Sequence, residues 1–180
     1  MKTEYSPVKM LFYLTGVLLT VFSVDIAAQS VISCKVDGDN FTGKIEDAVQ
    51  VTIGEEHFIQ IKSTYDDKIL YLNIKTTKLK GEMPITLKYK DLESGQTGMP
   101  DAEVVWVPDG PDKPQWNTVE GKAVITKFDM DNKIISGKFE FTVEKFQYSS
   151  KAKDSRPSED VEEGTFIEIS YRVEEKKAGG

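Results

Sequence analysis

Apolar and polar residues alternate along most of the chain beyond its amino-terminal stretch. From Phe41 to Ile53 the apolar residues Phe41, Ile45, Val49, Val51 and Ile53 share one parity, with Thr42, Lys44, Glu46, Gln50 and Thr52 between them. Ile59 and Ile61 repeat the pattern, as do Leu70, Leu72 and Ile74, then Ile85, Leu87 and Tyr89. Successive strand side chains point to opposite faces, so this period predicts strands with one buried and one wet face. No segment carries the i, i+3, i+4 stripe of an amphipathic helix.

The later part is the most regular. Val119, Ala123 and Ile125 lead to the turn Asp129-Met130-Asp131-Asn132, and Ile135, Phe139, Phe141 and Val143 return from it. Parity changes after Lys145, where Phe146 and Tyr148 take over, which predicts a bulge. Ile167, Ile169, Tyr171 and Val173 form the last strand. Turn residues at Asp37-Gly38-Asp39-Asn40, Gly54-Glu55-Glu56 and Tyr65-Asp66-Asp67-Lys68 separate the earlier runs. About nine strands joined by short turns predict an all-β antiparallel fold, either a β-sandwich or a flattened β-barrel. Two longer loops interrupt it, Pro108 to Asn117 and Ser149 to Gly164. The expected organisation is one β domain over 31–173 with a flexible tail at 174–180.

The amino terminus reads differently. Lys2 and Lys9 precede an uncharged apolar run from Met10 to Val24, and the small residues Ala27 and Ala28 follow. That order is the pattern of a secretory signal peptide over 1–28, with cleavage after Ser30 as the alternative site. The run stops at Asp25, short of the roughly 20 residues that span a bilayer. Net charge is −7. An acidic chain lacks the clustered Lys and Arg of a duplex-binding surface, so nucleic acid is excluded as a partner.

Cys34 is the single cysteine, which rules out an internal disulfide. It alternates with Ile32 and Val36, so a buried thiol on a strand is expected. The other use is a lipid anchor. Lipidation or an uncleaved leader would be the route to a membrane.

Several pieces occur in a familiar order: Cys34-Lys-Val-Asp-Gly-Asp-Asn-Phe41, Gly121 to Asp129, Asn132 to Phe141, and Glu163 to Tyr171. Together they resemble a family of exported β-rich proteins and lipoproteins of Bacteroidetes-type bacteria that has no established activity. The resemblance covers about 31–173. It implies an antiparallel β fold and a periplasmic or cell-envelope location, with a lipid-anchored outer-membrane or secreted form as alternatives. Cys34 lies inside the opening signature rather than ahead of it, which departs from the family's anchoring pattern.

Candidate chemistry is sparse. His57 is the only histidine, so a multi-histidine metal site is excluded, and its parity with Ile59 predicts a partly buried, hydrogen-bonded ring. Asp37, Asp39 and Asn40, like Asp129, Asp131 and Asn132, resemble short calcium loops, but turn formation explains them equally well. No cofactor or catalytic residue is expected. The strongest ligand-binding candidates are Trp106, Asp109, Asp112 and Trp116: two indoles flanking a Pro/Gly loop could stack on sugar rings or a partner peptide, although filling the core is the commoner use of such large aromatics. Three readings follow: a non-catalytic binding or adaptor module for an envelope protein or glycan, a structural subunit docking on another envelope protein, and a small carboxylate-based glycoside hydrolase.

Overall fold

The computed structural model describes residues 30–90, 99–146 and 157–174. The expected leader at 1–28, Tyr148 and the tail beyond Glu174 lie outside the described residues. Ten strands form one sheet: β1 (Val31–Val36), β2 (Asp39–Ile53), β3 (Glu56–Tyr65), β4 (Lys68–Lys75), β5 (Ile85–Lys88), β6 (Ala102–Val107), β7 (Trp116–Asp129), β8 (Ile134–Lys145), β9 (Ser158–Ser170) and β10 (Arg172–Val173). Eight of them close into an antiparallel barrel in the order β1-β2-β3-β4-β6-β7-β8-β9, with β9 pairing back onto β1.

The sandwich alternative is therefore corrected to a barrel. Alternation gives one buried face in either architecture; what separates them is the non-local pairing of β1 with β9. Closure leaves no continuous free edge. Where long strands outrun their neighbours, the extra strands take up the bare edge. β10 pairs in parallel with Val49 and Gln50 of β2, and β5 pairs with Lys122 to Ile125 of β7.

The hairpins arise where the turn residues predict them. Asp37 and Gly38 have φ of 50° and 85°, the double positive φ of the tight turn that matches strand twist. Asp129 holds the β7–β8 turn, accepting from the Asn132 backbone N–H at 2.9 Å and from its side-chain amide at 2.8 Å.

Inside the barrel, Ile32, Ile59, Ile61, Leu70, Leu72, Ile74, Ile125, Ile135 and Phe166 are almost wholly buried. An eight-stranded barrel is just wide enough for side chains to fill it. Three phenylalanines lie cross-strand from glycines: Phe141 opposite Gly121, Phe139 opposite Gly164 and Phe166 opposite Gly137. A Cβ on Gly137 would stand 2.6 Å from both the Phe166 ring tip and the Val124 carbonyl oxygen. The missing side chains let the rings fold down onto the wall and the strands curve.

Bulges correct the expected parity at three places. The register shifts between Ile45 and Asp47, so beyond it Ala48 points inward while Val49, Val51 and Ile53 point out. A shift between Thr118 and Glu120 turns Val119 outward, 40% exposed, and puts Thr118 inside. On β9, Glu168 has φ of 50° and Ile167 is 71% exposed, leaving Phe166 and Ile169 as the inward pair. The second expected loop is also shorter, because β9 already begins at Ser158.

Candidate functional site

Strand alternation puts the β1–β2 turn, the β3–β4 turn, the β6–β7 loop and the adjoining ends of β8 and β9 at one end of the barrel. A cavity of about 170 Å3 opens there, between Asp37, Phe41, Lys68, Trp106, Pro108 and Glu159. Its floor is aromatic. Trp106 points inward from β6, 2% exposed, and meets the Phe41 ring edge-on at 5.3 Å. Phe41 in turn meets Tyr65 edge-on at 6.4 Å, and Tyr65 is half exposed at the rim.

The polar feature of this mouth is Glu159. It shares parity with the fully buried Val161, so its carboxylate leans over the barrel interior rather than away from it. The Trp106 indole N–H donates to Glu159 Oε2 at 3.0 Å. Burial holds the Glu159 carboxyl above the usual carboxylate range, against the indole hydrogen bond; Asp37 and Asp109 push it further up and Lys68 pulls it down. Among the described residues no Lys or Arg lies within ion-pair distance of it. The strand-wall acids differ: Glu46 meets Lys62 at 2.6 Å, Glu140 meets Lys122 at 2.8 Å and Asp47 meets Arg172 at 2.8 Å.

The four residues singled out from sequence separate into two groups. Trp106 and Asp109 belong to the mouth, Trp106 as its floor and Asp109 through its field at Glu159. Trp116 pairs directly with Trp106 across β6 and β7, and is 8% exposed within the core. Asp112 is exposed on the loop. Both indoles are thus buried, and neither offers an open face to a sugar ring. Glu159 escaped sequence reasoning because it sits in a segment rich in acids and poor in apolar residues. Its two-residue spacing from Val161 was the available signal.

The other candidates resolve simply. His57 is exposed, not partly buried, with Nδ1 3.0 Å from Thr52 Oγ1. Cys34 is a free thiol, 5% exposed inside the barrel, and burial pushes its pKa up to about 12. Among the described residues, no group of three or more His, Cys, Asp or Glu is placed to hold a metal ion.

Larger depressions exist on the outer wall. One of about 670 Å3 runs over β7, β8 and β9, and its lining includes the paired Lys122 and Glu140. Another of about 420 Å3 crosses β2, β3, β4 and β6 around Tyr71 and Asn73. There the Asn73 side-chain amide donates to Glu103 Oε1 at 2.9 Å, and burial holds the Glu103 carboxyl above its usual range. These are open hollows on the outer wall, and several of their charged side chains are already paired, as Lys122 is with Glu140. The mouth alone among them combines an inward carboxylate with an aromatic floor.

What fold and site define together is a class: a closed, side-chain-filled antiparallel barrel with a small polar mouth. Comparison with family models, with curated proteins and with solved structures finds no match.

Proposed function

We propose that this chain is an exported, non-catalytic binding module of a bacterial cell envelope, with the barrel as a rigid holder for its loop-bearing mouth. Two things support export: the charge-then-apolar order of the leader, and the resemblance of residues 31–173 to exported β-rich proteins. The observation that carries the binding reading is the Trp106–Glu159 hydrogen bond, which holds a partly buried carboxylate at the edge of a concavity. Barrel mouths are among the places where ligands are held. The cavity is smaller than the roughly 300 Å3 at which pockets for drug-sized ligands begin. It suits one head group of a larger partner, and it leaves too little room for both sugars of a glycoside. That weighs against the hydrolase reading.

The test is direct. Two tryptophans give two indole N–H signals in a nitrogen–proton correlation spectrum. Envelope glycan fragments and peptides should move the Trp106 signal. If neither signal moves across such a panel, the binding reading fails. Recovery of the unprocessed chain from the cytosol would remove the envelope location.

A further inference from the structure

Granting that the mouth binds a partner, we infer that it takes a single positively charged nitrogen group, an ammonium or guanidinium, seated against Glu159 with its carbon stem on the aromatic floor. The argument begins with geometry. Glu159 points into a cavity of about 170 Å3 and uses one oxygen, Oε2, to accept from the Trp106 indole. The indole anchors the carboxylate through Oε2, and among the described residues Oε1 takes no hydrogen bond, so it is the acceptor left for an incoming donor. A carboxylate held this way needs charged donors, and charge-assisted pairs are the strong ones.

Size and shape narrow the class further. The cavity accepts a head group and a few methylenes, and little else. Val36, Phe41, Trp106 and Pro108 give the cavity an apolar lining beside Glu159, against which a short stem would lie. Long basic side chains bury their stems on apolar surface in the same way. Around the opening, Asp37, Asp39 and Asp109 give a negative field, which draws cations toward the mouth and repels anions. Lys68 is the one cation in the lining, and it has the smallest influence on Glu159. It is the internal competitor of the ligand.

Two sources could supply such a group: a free small amine, or a basic side chain of a partner protein. Agmatine and a short arginine-containing peptide amide distinguish them, each titrated against the full chain while both indole signals are followed. The inference expects the Trp106 signal to move and the Trp116 signal to stay. Glu159→Gln keeps the shape and the acceptor but removes the charge, and should weaken binding by about tenfold or more. Lys68→Met should tighten it. Stronger binding of the peptide than of agmatine assigns the group to a protein partner, and equal binding assigns it to the free amine. If neither probe moves the Trp106 signal at millimolar concentration, or if Glu159→Gln binds as well as the native chain, the inference is overturned. Should a neutral envelope glycan move that signal instead, the binding module stands and the cation assignment falls. Silence toward every probe removes both.

Discussion

The Thr118 hydroxyl holds both backbone groups of Val104 at once, accepting from its N–H at 2.8 Å and donating to its carbonyl at 2.7 Å. β6 and β7 pair directly only at Val105–Asn117 and Trp106–Trp116, after which β5 takes over the edge of β7. One side chain therefore closes the seam where a ladder rung would have been. Thr118 is 4% exposed and Val104 fully buried, so water cannot replace it. Thr118→Val should cost about 2 kcal/mol or more, because it strands two buried backbone groups. Thr118→Ser keeps the hydroxyl and should lose less. Urea unfolding of the pair decides it; equal losses would mean that the methyl, not the hydroxyl, closes the seam.

Most of the strands are legible in the sequence, and the reason is physical. Leu70, Leu72 and Ile74 point inward as their alternation requires, as do Phe139, Phe141 and Val143. Parity fails past bulges, at Val49, Val119 and Ile167, because a bulge inserts a residue without leaving a mark on composition. It fails also at the strand ends, at His57 and Val173, where the side chain runs out past the barrel wall. Closure is invisible for a similar reason: the β1–β9 pairing joins residues such as Ile32 and Phe166, far apart in sequence and with no local signal. Of the site, Trp106 stood out as a large aromatic beside a loop. Glu159 did not, since an acid among acids carries no pattern until a strand turns it inward.

Glu159 gives a pH signature. Its folded-state carboxyl lies above the usual range, first through burial, so the folded chain binds this proton more readily than the unfolded one. By linkage, its contribution to stability is full below the ordinary glutamate value and is lost as pH rises through the elevated folded value. Two outcomes are expected. The Trp106 indole signal should titrate with a midpoint above that of a free glutamate, and Glu159→Gln should be no less stable than the native chain at neutral pH. A midpoint at or below the ordinary value would contradict the burial argument.

Cys34 makes the opposite test of accessibility. With its thiol pushed up to about 12 and enclosed opposite Phe41, it should resist disulfide reagents at pH 8 in the native state and react at once in denaturant. The same shift means that folding stability falls as pH climbs from roughly 8.5, where an unfolded thiol ionises, toward the folded value. Fast labelling of the native chain would show that the β1–β2 hairpin opens far more readily than its core position allows.

Ser63 is wholly buried on the inner wall, and among the described residues its hydroxyl finds no hydrogen-bond partner. Leaving such a group unsatisfied costs on the order of 1–3 kcal/mol. Ser63→Ala removes the oxygen and leaves only a small void, so the variant should gain about 1 kcal/mol in chemical unfolding. A loss instead of a gain would mean that the hydroxyl is satisfied in solution, for example by a buried water.

Gly137 tests the curvature of the wall. A methyl there meets the Phe166 ring on one side and the Val124 carbonyl on the other, each 2.6 Å away. The ring tip is a side chain and can yield; the carbonyl is fixed in the β7–β8 ladder. Gly137→Ala should therefore cost more than about 2 kcal/mol, as overpacking against backbone does. Adding Phe166→Leu to Gly137→Ala relieves only the ring contact. Relative to Phe166→Leu alone, the alanine should then cost less than in the native background yet still cost clearly something. A double-mutant cycle measures this remainder. If it is zero, the ring alone enforces the glycine; a cost unchanged by the leucine places the whole constraint on the Val124 carbonyl. The partial value is the one that a glycine wedged between a ring and a strand requires.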